Sequence, residues 1–307
     1  MRPMHTGKHK PRRGEYGDRI MVALSYVFYS LFSFVCVYPF YYIFINTISD
    51  NKLSERGAVV WLPKGIHFQN YIDAYKIPGI ANAAFISAAR TVLGTLLAVF
   101  VSAFLGYMFT SRVMWKKRFW YRFVVVTMYF NAGIIPWYLT MMNLRLTNNF
   151  LGYILPAIVS PFYIILAKTY IESLPMELRE AAQVDGAGTL TIFARIVLPV
   201  TRPILSTIAI FSAVWQWNAF QDTLLLMTRE SLYTLQFILY RYLQSSNSLK
   251  AIVNATSGSA TAMLAQAQTQ TSIRMTVTII VALPILLVYP FFQRYFVKGI
   301  MIGAVKG

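Results

Sequence analysis

The sequence predicts an all-α integral membrane protein with about six transmembrane helices. The chain of 307 residues is 57% hydrophobic and only 13% charged, with a mean hydropathy of +0.51, whereas soluble domains average about 45–50% apolar and about 25% charged residues. The apolar residues are also gathered into long stretches, and a spanning helix needs about 20 mostly apolar residues. Six stretches meet this requirement: 20–47, 83–109, 123–142, 151–171, 203–227 and 273–296.

The first stretch is too long to be a signal peptide. It follows a basic segment, as a signal peptide would, but it stays apolar for 28 positions and ends in bulky aromatic residues, whereas a cleaved signal has an apolar region of about 7–15 residues. The third stretch is the weakest, because Asn131, Gly133 and Pro136 interrupt it. Such breaks are tolerated where other helices or cavity water satisfy the freed backbone groups.

The basic residues predict the orientation, because Lys and Arg favour cytoplasmic loops. With the N-terminus inside, 18 of the 28 Lys and Arg residues lie on the cytoplasmic side of the membrane and eight outside. Arg90 and Arg274 lie at or inside span ends. We therefore expect both termini in the cytoplasm. The resulting segments are a basic tail 1–19, a membrane domain 20–297 with a cytoplasmic loop 174–199 and an extracytoplasmic loop 228–271, and a cytoplasmic tail 298–307.

Several function classes lack their motifs. The net charge of +17 is spread between apolar runs rather than gathered on one face as nucleic-acid binding requires. The sequence has no phosphate-binding Gly-x-x-x-x-Gly-Lys-Ser/Thr motif and no Gly-x-Ser-x-Gly motif, and its three histidines and one cysteine form no standard metal pattern. We therefore expect no enzyme and no bound cofactor or metal.

A proton- or ion-coupled secondary transporter is the stronger alternative. Such proteins place ionisable residues at mid-membrane and often contain inverted repeats. Asp222 is the only acid near a span here, Arg90 is the only basic residue that a span would bury, and no repeat is visible. Six spans without a repeat fit one half of a dimeric pore better.

The loop 174–199 has the pattern of two short helices. Pro175 suits a first helical turn, and Glu177 and Glu180 favour the positive end of a helix dipole. One face of this first helix would carry Leu178, Ala181, Ala182 and Asp185. The two small alanines would let another surface approach closely.

The second half of this loop follows a glycine-rich turn. We expect Gly186 and Gly188 to end the first helix, because left-handed backbone costs glycine little. A second helix would then run to Pro199, and its inner side would carry Leu190, Phe193 and Val197. A helical projection of this kind suits insertion into a groove on a partner.

The same loop resembles the EAA motif of ATP-binding-cassette (ABC) importer permeases. The sequence Glu180-Ala181-Ala182 is followed after three residues by Gly186, and after nine more by Ile196-Val197-Leu198-Pro199. In that family the loop forms coupling helices that dock into the nucleotide-binding subunits. The resemblance implies an ATPase-coupling role for Glu180, Ala181, Ala182, Asp185, Gly186, Ile196, Leu198 and Pro199.

Two further segments narrow the resemblance to carbohydrate importers. The end of the chain, 289–307, is similar to the C-terminus of MalG-like permease subunits, and 132–140 is similar to members that handle oligosaccharides. The resemblance implies a maltose-type permease fold in the bacterial cytoplasmic (inner) membrane that imports a sugar by alternating access. It also implies the partners: a second homologous permease subunit, two ATPase subunits that use ATP and Mg, and an extracytoplasmic solute-binding protein. Membrane lipid is the remaining expected partner, and nucleic acid is not.

Polar and aromatic residues inside two spans are candidates for the sugar path, because amides, acids and flat rings bind sugars. These candidates are Asn131, Trp137, Trp217, Asn218, Gln221 and Asp222. In the fifth span, pairs four residues apart would lie on neighbouring strips of one helix. Hydrogen bonds between helices, and interfacial anchoring for the two residues of the third span, are the alternatives.

Two features of the outer side remain open. Arg90 would meet an acidic sugar or, as we expect, extend to the lipid headgroups from near the outer end of span two. The polar run 245–271 is compatible with a flexible linker or a partner-binding loop. The family resemblance implies the second of these roles, with the loop entering the sugar cleft of the binding protein.

Overall fold

The computed structural model describes residues 13–244, 272–288 and 290. Helices are the only regular secondary structure in these residues, in agreement with the predicted fold class. Three short segments depart from α geometry: 3₁₀ turns at Leu155–Ala157 and Glu230–Leu232, and a π-helical turn at Phe193–Val197. The α-helices are α1 (Arg13–Thr47), α2 (Asn51–Glu55), α3 (Gln69–Tyr75), α4 (Ile80–Thr110), α5 (Lys117–Tyr129), α6 (Ile134–Asn143), α7 (Leu151–Ile154), α8 (Pro161–Glu172), α9 (Glu177–Val184), α10 (Thr189–Ile192), α11 (Leu198–Val200), α12 (Arg202–Asn218), α13 (Gln221–Leu226), α14 (235–244) and α15 (Ser272–Val288).

The described helices match the predicted spans to different degrees. α1 and α4 are each long and apolar enough to cross a membrane alone, so their length and composition agree with the first two predicted spans. Two bent pairs qualify if each is taken as one span: Leu151–Ala157 with Pro161–Glu172, bent by 46°, and Thr189–Val200 with Arg202–Asn218, bent by 79°. α15 is apolar but shorter. Length and composition thus support two to four spans within the described residues.

Three predicted spans contain breaks. The third is divided between α5 and α6, where Gly133 has a φ of +90° and its N–H donates to Asn131 Oδ1 over 2.9 Å. The fourth bends before Pro161, which begins α8. The continuous helix predicted at 203–227 is wrong, because the chain becomes extended at Ala219 (φ −70°, ψ 129°) between α12 and α13. This last break separates Asn218 from Gln221.

α4 is the centre of the bundle and packs against both α8 and α12. Small residues along it allow close approach. At Gly106, an added Cβ would lie 2.9 Å from both the Ala167 side chain and the Lys168 backbone nitrogen, so only glycine fits there. The apolar side chains of α1 remain exposed along most of its length, as expected for a helix surrounded by lipid.

Candidate functional site

The loop 174–199, which we call the coupling segment, forms the predicted helix and turn. α9 ends at Val184, and Gly186 follows with a φ of +79°. Its N–H donates to the Gln183 carbonyl over 3.0 Å, and that of Ala187 donates to the Ala182 carbonyl over 2.9 Å. The left-handed turn at Gly186 is therefore confirmed. Gly188 has an extended backbone (φ −70°, ψ 162°) and precedes α10. The prediction of left-handed backbone at Gly188 is therefore wrong.

The two adjacent alanines have opposite environments. Ala182 is 8% exposed and packs in an apolar cluster with Tyr107 of α4 and Ile171 of α8, whereas Ala181 is exposed. Successive residues of a helix point about 100° apart, and here Ala182 faces the core while Ala181 faces outwards. Ala182 thus holds α9 against the bundle, and Ala181 remains available to another chain.

The second half of the segment is held by a different set of side chains from the one predicted. Phe193 and Val197 are buried as expected, but Leu190 is 67% exposed and Ile192 takes its place in the core. Ile196 and Leu198 are half-buried against the same cluster, and Pro199 is exposed. The cluster also contains the start of α12 through Ile204, Leu205 and Ile208.

Two hydrogen bonds fasten the coupling segment to the end of α4. Arg179 Nη1 donates to Thr110 Oγ1 over 3.0 Å, and the Tyr107 hydroxyl donates to the Thr189 carbonyl over 3.2 Å. Glu180 and Asp185 are exposed, with Glu180 only 4.0 Å from Arg112. The outer surface also presents Met176, Leu178, Val184 and Leu190 as exposed apolar side chains. Exposed apolar side chains, where they are contiguous, are typical of protein–protein or membrane contacts.

A cavity of about 1140 Å³ lies at the opposite end of α12. α6, α7, α12, α13 and α15 all contribute to its walls. The structure brings five of the six predicted path residues to this cavity: Asn131, Trp137, Asn218, Gln221 and Asp222. Because they come from two broken spans, the breaks are what expose their side chains to a shared space.

Trp217 lies outside this cavity. Its indole N–H donates to the Val281 carbonyl of α15 over 2.9 Å, and its ring lines a separate apolar space beside Pro284. Trp215, which is 55% exposed, lines the main cavity instead. The spacing of three between Trp215 and Asn218, which puts both on one helix face, is the signal that could have identified it.

Arg90 does not extend to the headgroups. Its side chain is 0% exposed, and its guanidinium makes a two-pronged contact with the Asp222 carboxylate: Nη2 to Oδ2 at 2.5 Å and Nη1 to Oδ1 at 3.1 Å. The expectation from sequence is wrong because the partner lies 132 positions further along the chain. An Arg–carboxylate pair with two parallel bonds is among the strongest polar contacts in proteins.

The same guanidinium holds the break between α12 and α13. Nη1 donates to the Ala219 carbonyl over 3.3 Å, and Nε and Nη2 donate to Gln216 Oε1 over 3.1 and 3.0 Å. The Tyr153 ring centroid lies 4.4 Å from the guanidinium carbon, a cation–π contact. Sequence reasoning missed Gln216 and Tyr153, whose roles depend on neighbours remote in sequence.

Some expectations concern residues outside the described ranges: both chain ends and the polar run 245–271. Within the described residues, no group of three or more His, Cys, Asp or Glu side chains is arranged to hold a metal ion.

Comparison with known proteins identifies the family. The model of the family described as "Binding-protein-dependent transport system inner membrane component" matches residues 94–302. The chain belongs to this family. It is therefore an inner-membrane permease of an ABC importer, and the match includes the coupling segment and the broken fifth span.

Similar proteins match the chain over at least nine-tenths of its length. Protein LplC of Bacillus subtilis is 30% identical over 308 residues, covering 100% of both chains. The polygalacturonan/rhamnogalacturonan transport system permease protein YtcP of B. subtilis is 29% identical, covering 94% of this permease and 99% of that protein. The arabinooligosaccharides transport system permease protein AraQ of Halalkalibacterium halodurans is 26% identical, covering 91% and 94%.

A solved structure has the same fold. The crystal structure of a bacterial ABC transporter involved in the import of the acidic polysaccharide alginate contains a chain that is 27% identical, with a TM-score of 0.79. The alignment covers 94% of this permease and 100% of that chain.

Proposed function

We propose that this permease forms one half of a heterodimer that imports an oligosaccharide. The observation that carries the proposal is the cavity at the end of α12, which is lined by the amides of Asn131, Asn218 and Gln221 and by the indoles of Trp137 and Trp215. Amides bond sugar hydroxyls, and flat rings pack on the apolar faces of sugars. A volume of about 1140 Å³ accommodates several sugar units.

The names of the similar permeases point in the same direction. Two of the relatives are named for polygalacturonan/rhamnogalacturonan and for arabinooligosaccharides, and the solved importer takes up alginate. Oligosaccharide import by this permease is consistent with all three.

The importer would contain two ATPase subunits, and one of them would bind the outer face of the coupling segment of this permease. Ala181 and the apolar side chains of Leu178 and Leu190 are exposed there, and an exposed apolar helix face suits a groove on a partner. ATP and Mg would be held by those subunits. Their closure would push α9, and the apolar cluster that Ala182 and Phe193 share with α4, α8 and α12 would carry the movement into the bundle as one packed unit.

The membrane orientation follows from the basic residues. The coupling segment and both termini would face the cytoplasm, and the cavity end of α12 would face the outside, where a solute-binding protein delivers the sugar. Protease added to intact spheroplasts should spare tags at residues 1 and 307 and cleave a tag at Ser257. Cleavage of both terminal tags together with protection of the Ser257 tag would contradict the proposed orientation.

The transport proposal is tested by reconstituting the complete importer in liposomes. Labelled arabinotriose should accumulate only when the binding protein is outside and ATP is present on the coupling-segment side. Liposomes that carry this permease alone and a proton gradient are the control. Uptake in the control without ATP would overturn the proposal in favour of a proton-coupled transporter.

A further inference from the structure

Arg90 lies directly behind the part of the cavity wall that Asp222 forms. The Arg90 side chain is fully buried and does not line the cavity, whereas Asp222 lines it and is 13% exposed. Both terminal nitrogens of the guanidinium are bonded to the two carboxylate oxygens. The carboxylate therefore covers the cation next to the cavity.

This pairing determines the charge that a bound sugar would experience. Among the described residues that line the cavity, Asp222 and the phenol of Tyr153 are the only titratable groups, and the charge of Asp222 is balanced by Arg90. The other polar groups at the wall are the neutral amides of Asn131, Asn218 and Gln221. The wall is mostly apolar, its other hydrogen-bonding groups are neutral, and it carries no net charge.

We propose that Asp222 is a specificity-determining residue which, by neutralising Arg90, makes this half of the cavity select uncharged saccharides over acidic ones. A sugar carboxylate that leaves water needs a compensating cation, and the cation nearest the wall is already paired. The inference rests on the proposed function. The names of similar proteins do not suggest this preference, because polygalacturonan and alginate are acidic polysaccharides.

The structure offers a way to move the negative charge without changing the shape of the site. Gln216 is fully buried and its Oε1 already accepts two bonds from Arg90. Gln216→Glu therefore places a carboxylate beside the same guanidinium, where the attraction favours it. Asp222→Asn removes the negative charge that neutralises Arg90. Asp222→Asn combined with Gln216→Glu restores a negative charge beside Arg90, but at residue 216, which does not line the cavity.

The experiment measures equilibrium binding of arabinotriose and trigalacturonate to the purified complex of two permeases and two ATPases. The binding protein is left out, so that the selectivity is that of the membrane cavity. The readout is the ratio of the two affinities, which a general loss of folded complex does not change. Wild type should prefer arabinotriose. Asp222→Asn should shift the ratio by about tenfold towards trigalacturonate, because one uncompensated charge then acts across a few ångströms of low-dielectric protein.

The remaining variants separate charge from structure. Asp222→Asn/Gln216→Glu should return to the wild-type ratio, and Gln216→Glu alone should shift the ratio against trigalacturonate. If the Asp222→Asn complex does not assemble, the proposal is decided by Gln216→Glu, whose affinity ratio should shift against trigalacturonate. An unchanged ratio in the variants that assemble would overturn the proposal and leave the pair a structural contact, and so would a wild-type preference for trigalacturonate. Both results leave sugar import standing, whereas a wild-type complex that binds neither saccharide would contradict the sugar path itself.

Discussion

The two ends of α12 are held by different kinds of interaction. At its start, Ile204 and Ile208 join an apolar cluster with Ala182 and Phe193 of the coupling segment. At its end, Gln216 and the Ala219 carbonyl accept hydrogen bonds from the buried Arg90 guanidinium. A close-packed apolar cluster is hard to compress and transmits displacement, whereas a charged hydrogen-bond network depends on distance and direction.

This difference suits the tasks of the two ends. The apolar end can transmit a displacement of α9 to three helices at once, because the cluster moves as a packed unit. The polar end keeps the break between α12 and α13 in one geometry, so that Asn218 and Gln221 reach the cavity. The comparison teaches that coupling and recognition can be perturbed separately within one helix.

The largest effect is expected at the polar end from Arg90→Leu. The change leaves the Asp222 carboxylate without its partner, and breaking a buried ion pair in this way costs about 3–5 kcal/mol. We expect a much lower melting temperature of the purified complex. Arg90→Leu with Asp222→Leu should recover part of the loss, because no unpaired charge remains. A single variant as stable as wild type would show that the pair does not hold the break.

At the apolar end, the two alanines provide a matched pair. Ala182→Leu overfills the cluster beside Tyr107 and should cost about 1–3 kcal/mol of stability. Ala181→Leu adds the same atoms to an exposed position, so stability should change by less than about 0.5 kcal/mol while ATPase subunits co-purify less well. Thermal denaturation and co-purification, measured on both variants, check the assignment. Equal destabilisation by the two changes would contradict the split between anchoring and docking.

The turn between the two coupling helices provides a smaller, purely conformational test. Gly186→Ala should cost about 1–2 kcal/mol, because an L-residue is strained in left-handed backbone while the added methyl meets no atom within 4 Å. Gly188→Ala is the control, since its backbone is extended and its surroundings are also open. Melting temperatures of the two variants give the comparison. A loss at Gly188 as large as at Gly186 would contradict the backbone argument.

The coupling segment could be predicted from sequence because its structure is local. A short motif specifies α9, and Gly186 ends it through its own backbone preference. The errors there are also local: Leu190 and Ile192 both fit an inner face, and the π-helical turn that starts at Phe193 shifts which of them is buried.

Most of the predicted path residues line the cavity, but the break in the helix that brings them together could not be predicted from the sequence. Polar side chains in an apolar span are visible in the sequence, so Asn131, Asn218 and Asp222 were found. The break at Ala219 was not, because it depends on Arg90, which lies far away in the chain. Trp217 was wrongly placed on the path for the same reason, because its partner is also remote in sequence: its indole N–H donates to a carbonyl of α15.

If the cavity at the end of α12 is the sugar path, Asn218→Ala should weaken sugar uptake without affecting assembly. Asn218 is exposed at the cavity wall, and its Nδ2 donates only within its own helix, to Val214 over 2.8 Å. Losing one hydrogen bond to the sugar, worth about 1 kcal/mol, should weaken half-saturation of arabinotriose uptake by about fivefold. Complex yield and ATP hydrolysis without sugar should stay at wild-type values. Trp217→Phe, which changes a neighbouring residue outside the cavity, should leave half-saturation unchanged. Reduced yield of the Asn218→Ala complex with normal uptake per complex would contradict the account and make Asn218 a contact between helices.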